Sequence, residues 1–125
     1  MAGKDDDKDM RPAKDTDFFI DLPDVGVFRF GRRTYGDRLR IRAEYLRLVQ
    51  EHGDKDEQLT VYAGIVSSHK IMCVEAPKGW EDLSEIVLSR PGFDIDDKVY
   101  ELYGKMKAQE DSFRSGQPQN GQVPG

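Results

Sequence analysis

Only one cysteine, two histidines and one tryptophan occur among the 125 residues, and each scarcity closes off a class of chemistry. The lone Cys73 cannot pair within the chain. Seated in the apolar run "KIMCVE", it is expected to be a buried, inert thiol. His52 and His69 fall on different predicted elements with no cysteine or carboxylate at ligand spacing around them, so neither a metal nor any other cofactor is expected. No segment reaches the ~18 consecutive apolar residues of a membrane span, and the amino terminus lacks the apolar stretch of a signal peptide. A membrane partner is therefore not expected, and the cytoplasm is the expected compartment. No internal repeat of a useful period is present.

Assembled catalytic signatures are missing as well. Gly26, Gly31 and Gly36 do not make a phosphate-cradling loop, because no Lys-Ser/Thr pair follows them and no strand–loop–helix unit surrounds them. Ser67-Ser68-His69 places a hydroxyl beside an imidazole, but neighbouring side chains on a helix diverge, which is the wrong geometry for a Ser–His hydrogen bond. The carboxylate pairs Glu81-Asp82, Asp96-Asp97 and Glu110-Asp111 sit at predicted helix ends or on solvated faces, where capping explains them. The chain is not expected to be an enzyme.

What is abundant is arginine, in one place. Residues 29–47 hold seven arginines (29, 32, 33, 38, 40, 42 and 47) against Asp37 and Glu44, a net charge of +5 inside a chain of net charge −5. "FRFGRRTYGDRLRIR" (Phe28–Arg42) contains no lysine. Such a run is a solvated or internally paired face, a protein interface using bidentate guanidinium contacts, or a phosphate-binding surface with Phe28, Phe30, Tyr35 and Tyr45 near it. Nucleic acid is the least favoured of the three, because those aromatics are needed to seal a small core and the chain is acidic overall.

The length fits a single domain that buries roughly two-thirds of its unfolded surface. Residues 1–16 are charged and poor in apolar groups, so a disordered acidic lead is expected; "KDDDK" within it resembles an engineered cleavage tag. Residues 115–125, rich in Gly, Pro, Gln and Asn, read as a flexible tail. Residues 17–114 are the expected domain.

That domain opens on "FFIDL" and "VFRFGRR", separated by the turn residues "PDVG". The two-residue alternation predicts a β-hairpin with Phe28 and Phe30 in the core and Arg29 in solvent. Thr34 and Asp37 form a capping-box pair that starts a helix over about 35–52, which Gly53 stops. Leu39, Ala43, Leu46 and Val49 make its expected inward stripe, widened by Ile41, Tyr45 and Leu48. Asp54 or Asp56 is placed to cap a second, mostly buried helix over about 57–74, and "APKGW" ends it, with Trp80 as a core anchor. A short helix over 83–88 and a final one from Asp94–Asp97 to about Phe113 complete an α+β fold: an N-terminal β-hairpin on a small bundle of three to four α-helices.

"IDLPDVGVFRFGRRT" (Ile20–Thr34), followed by the arginine-rich helix, then "VEAPKGWEDL" (Val74–Leu83) and "KAQEDSFRSG" (Lys107–Gly116), resembles the small tail assembly chaperones of long-tailed bacteriophages and prophages. The resemblance covers roughly residues 18–116. It implies a protein that binds and solubilises the tape-measure protein, recruits tail-tube subunits through a longer frameshifted product, and is absent from the finished virion. Its partner-binding or self-associating surface would then be the first helix, with Arg38, Arg40, Arg42, Tyr45, Arg47 and Leu48 as candidate contacts. The alternatives are a small phage nucleic-acid-binding regulator and a structural tail or head–tail component.

Overall fold

The structure is a computed structural model that describes residues 10–52, 56–89, 92 and 94–115. Strand β1 (Phe18–Leu22) and strand β2 (Gly26–Phe30) form the expected antiparallel hairpin, with Phe18 opposite Phe30 and Ile20 opposite Phe28. Phe18, Ile20, Leu22, Phe28 and Phe30 all point inward, the alternation that the sequence carries. At the turn, the Val25 amide donates to the Leu22 carbonyl (3.0 Å), and Asp24 takes a left-handed φ of 69°, a conformation its short polar side chain tolerates. Gly26 follows at φ 142°, where an added Cβ would lie 2.8 Å from the Pro77 ring. Only glycine fits that approach.

Helix α1 (Tyr35–His52) begins where the capping pair predicts. The Asp37 amide donates to Thr34 Oγ1 (3.0 Å), and the Thr34 amide donates back to Asp37 Oδ2 (2.9 Å). Helix α2 (Glu57–Met72) is capped by Asp56, which accepts from the Gln58 and Leu59 amides. The alternative cap, Asp54, lies outside the described residues, as do Gly53 and the side chain of His52.

α2 stops two residues earlier than its apolar run. Cys73–Glu75 is a third strand, β3, pairing antiparallel with β2 so that the sheet order is β1-β2-β3. A short apolar run in a buried strand and in a buried helix look alike by periodicity, which is why the sequence pattern extends the helix to Val74. The Gly31 amide reaches the Met72 carbonyl at 3.0 Å and ties the strand's start to the hairpin. Beyond it, a turn over Pro77–Trp80, with Gly79 at φ 90°, swings Trp80 into the core. The short helix expected over 83–88 is a single 3-10 turn, Leu83–Glu85, capped by Asp82.

The core is aromatic. Phe28 meets Trp80 edge-on with ring centroids 5.9 Å apart, and His69 of α2 meets Phe28 and Phe30 edge-on at 5.9 and 5.7 Å. Each fully buried aromatic of this kind contributes about 1.5–3 kcal/mol. α1 packs along α2.

The chain divides into two compact units after Val87, where composition pointed to one domain over 17–114. The second unit holds helix α3 (Ile95–Ser115), whose first turn is capped by Asp94 through the Asp97 amide. Ile95, Leu102 and Met106 are its buried apolar residues. With three strands and three α-helices among the described residues, the protein is α+β.

The expected lead over 1–16 departs from its prediction in the part described. From Met10 onward the chain is seated on the hairpin and α1: Arg11 Nη1 donates to Asp37 Oδ1 at 2.7 Å, and the Lys14 carbonyl accepts from Arg29. Residues 1–9 and the expected tail beyond Ser115 lie outside the described residues.

Candidate partner-binding face

α1 is amphipathic twice over, and packing decides between its two stripes. Asp37, Ile41, Tyr45, Leu48 and Val49 lie on the inward side, buried or half-buried. Leu39, Ala43 and Leu46, expected inside, are exposed instead, Leu39 by 62% and Leu46 by 41%. The bulkier stripe wins because it fills more volume against α2, and Asp37 reinforces the choice by drawing the first turn down onto Arg11. Tyr35, 74% exposed, extends the outer stripe toward the start of the helix. At 3.6 residues per turn, Tyr35, Leu39, Ala43 and Leu46 share one outward strip. Arg38 and Arg42 border it on one side, Arg40 and Arg47 on the other.

Four of the six candidate residues therefore surround this strip, and two do not. Tyr45 and Leu48 are half-buried on the inward side. Sequence reasoning passed over Leu39, Ala43 and Leu46 as core residues; the usable signal was that a second apolar stripe of larger side chains ran along the opposite face.

The four arginines differ in what they hold. Arg40 donates to buried Asp37 at 2.8 Å, sharing that carboxylate with Arg11. Burial alone would raise the Asp37 pKa, but hydrogen bonds from Arg11, the Thr34 amide and Arg40 outweigh it and hold the carboxyl well below its usual range. Arg47 bridges Glu44 and Glu51, the latter at 3.0 Å, which pushes its guanidinium pKa up. Glu44 is in turn held low, first by Arg47 and further by Lys70 of α2 at 3.3 Å. Arg38 and Arg42 have no carboxylate partner among the described residues; their guanidiniums sit over Tyr35 and Tyr45, 5.2 and 5.6 Å from the ring centroids. Arg29, expected in solvent, is half-buried, donates to Asp17 at 2.9 Å and lies over Phe19.

The groups with catalytic potential are tied into the fold. Ser67 Oγ donates to the Ala63 carbonyl at 2.5 Å, a bond within its own helix. His69 Nε2–H donates to the Trp80 carbonyl at 2.9 Å, and burial lowers the imidazole pKa to about 4. Burial likewise pushes the Cys73 thiol up to about 12, leaving it protonated at neutral pH. Among the described residues no group of three or more His, Cys, Asp or Glu is arranged to hold a metal ion, and no helix is long and apolar enough to cross a membrane.

No protein-family model matches the chain, and no curated protein or solved structure matches it.

Proposed function

We propose that this chain is a protein-binding module that holds a helical polypeptide on the outer face of α1. In its finer form, suggested by the resemblance described above, it is a phage tail assembly chaperone. It would bind and solubilise the tape-measure protein, help recruit tail-tube subunits in the cytoplasm of the infected or lysogenic host, and leave before the virion is complete. One observation carries the reading: Tyr35, Leu39, Ala43 and Leu46 stand exposed at helical spacing on a helix bordered by arginines. Scattered apolar side chains on a surface mean little, but a continuous helical strip is the form that accepts a partner helix. Many weak contacts along an extended partner suffice for coating, since multivalency raises avidity without a tight single site.

The test is co-expression of the chain with the tape-measure protein and recovery of the complex by affinity capture. Leu39→Asp combined with Leu46→Asp is expected to abolish capture while the chain stays folded, at a cost of about 1 kcal/mol because both side chains are exposed and Asp is the poorer helix former. Undiminished capture by a folded double variant refutes the reading, and finding the protein in purified virions refutes its finer form.

A further inference from the structure

The two borders of the outer strip on α1 carry the same residue type and differ in what those residues hold. Arg40 and Arg47 already face carboxylates, Asp37 on one and Glu44 with Glu51 on the other. A partner carboxylate approaching that border would meet guanidiniums already engaged with carboxylates of the chain, and the exposed Glu51. Arg38 and Arg42 hold no carboxylate among the described residues, and each is steadied over a tyrosine ring. That stacking pre-orients the planar guanidinium while leaving its N–H edges open to accepting oxygens. The two are four residues apart, roughly 6 Å along the helix axis, the spacing of neighbouring side chains on one face of a facing helix.

Resting on the reading of α1 as a docking face, we infer that its partner is an acidic amphipathic helix whose apolar stripe is bordered on one side by Asp or Glu residues, and that Arg38 and Arg42 alone read those charges. The apolar strip supplies the grip; the one-sided charge sets which border of the partner lies where, and therefore the direction in which the partner helix runs. Neutralising Arg40 or Arg47 removes a guanidinium that is already engaged with a carboxylate of the chain.

The probe is a synthetic peptide with leucine at the a and d positions of its heptads, glutamate at g, and alanine or glutamine elsewhere, labelled for fluorescence anisotropy. Wild type is expected to bind it with an affinity that falls as salt rises. Arg38→Gln with Arg42→Gln should weaken binding by about three- to tenfold and flatten the salt dependence, the effect of losing two solvent-facing charge pairs. Arg40→Gln with Arg47→Gln should stay within about twofold of wild type, the limit of what compensated surface charge contributes. If circular dichroism shows that pair unfolded through loss of the Asp37 contact, Arg47→Gln alone serves as the comparison. Equal losses from both borders, equal binding of a peptide with lysine in place of glutamate, or no binding of the acidic peptide to wild type each overturns the inference. Loss of capture in the Leu39/Leu46 double variant is a separate readout, so the charge assignment can fail while the docking face stands.

Discussion

His69 lies among Phe28, Phe30 and Trp80 as a neutral ring with its Nε2–H on one carbonyl, whereas Asp37, equally withdrawn from water, is a charged carboxylate gripped by two guanidiniums and a helix-start amide. Both are polar groups that folding removes from solvent. The imidazole is kept uncharged because no anionic group among the described residues touches it; Asp82 and Glu81 act only at a distance and burial outweighs them. The carboxylate is kept charged because three donors replace its lost hydration. One centre fills the core; the other ties three separate segments together: the lead, the turn at Thr34 and the first turn of α1. The difference shows how the same cost of burial is met by shape in one place and by charge in another.

The largest separation between the two should come from deleting Asp37. Asp37→Ala leaves Arg11 mostly buried without its anion and removes half of the capping pair, so a loss of about 3–5 kcal/mol in urea unfolding is expected. A loss under about 1 kcal/mol would mean that the hub contributes little beyond an ordinary cap.

Next in size is the acid response of His69. Its folded pKa of about 4 lies below the ordinary 6.5, so the unfolded chain binds more protons between those values and stability rises with pH across that window. The full contribution is present above pH 6.5 and is lost as pH falls toward 4, about 3 kcal/mol in all. His69→Phe should flatten this slope in denaturant titrations at several pH values. Asp37 has the opposite charge logic but the same sign: its lowered pKa gives stability that is present above the ordinary 3.8 and is lost only below it. A slope between pH 4 and 6.5 that survives in His69→Phe would place the acid sensitivity elsewhere.

The smallest effect sharpens the Asp37 side. Arg11 lies across Gly31, where an added Cβ would fall 2.2 Å from Arg11 Nε. Gly31→Ala should therefore lift the guanidinium off Asp37 and cost about 1–2 kcal/mol, leaving Arg40 in place. The change should be nearly silent when Arg11→Ala is already present, so a double-mutant cycle reads the coupling directly. Additive losses would show that Gly31 matters for another reason. The grip of this segment has a weak point, since Arg11 Nε and Asp17 Oδ1 are buried without hydrogen-bond partners among the described residues.

Much of the fold was legible because its signals are local. The hairpin follows from alternation around "PDVG", the start of α1 from Thr34 and Asp37, the start of α2 from Asp56, and the burial of Trp80 from the turn at "PKGW". β3 was not legible, because Cys73 and Val74 are apolar in helix and strand alike and only the partner strand distinguishes the two. Arg11 was hidden for another reason: its anion is 26 residues away, and composition marked the segment around it as solvent-loving. The candidate face was half legible. Arg38, Arg40, Arg42 and Arg47 stood out as charge, yet Leu39, Ala43 and Leu46 were placed inside and Tyr45 and Leu48 at the contact surface, the reverse of what packing allows.

Turns, caps and the concentration of arginine in one helix were set by the sequence itself, since each depends on residues within about four positions of one another. Which stripe of α1 faces water, and which two of its arginines hold no carboxylate among the described residues, depended on the fit against α2 and on carboxylates brought in from other turns and segments. Those are choices among near-equal local patterns, and only the packed volume and the placement of opposite charges in three dimensions could make them.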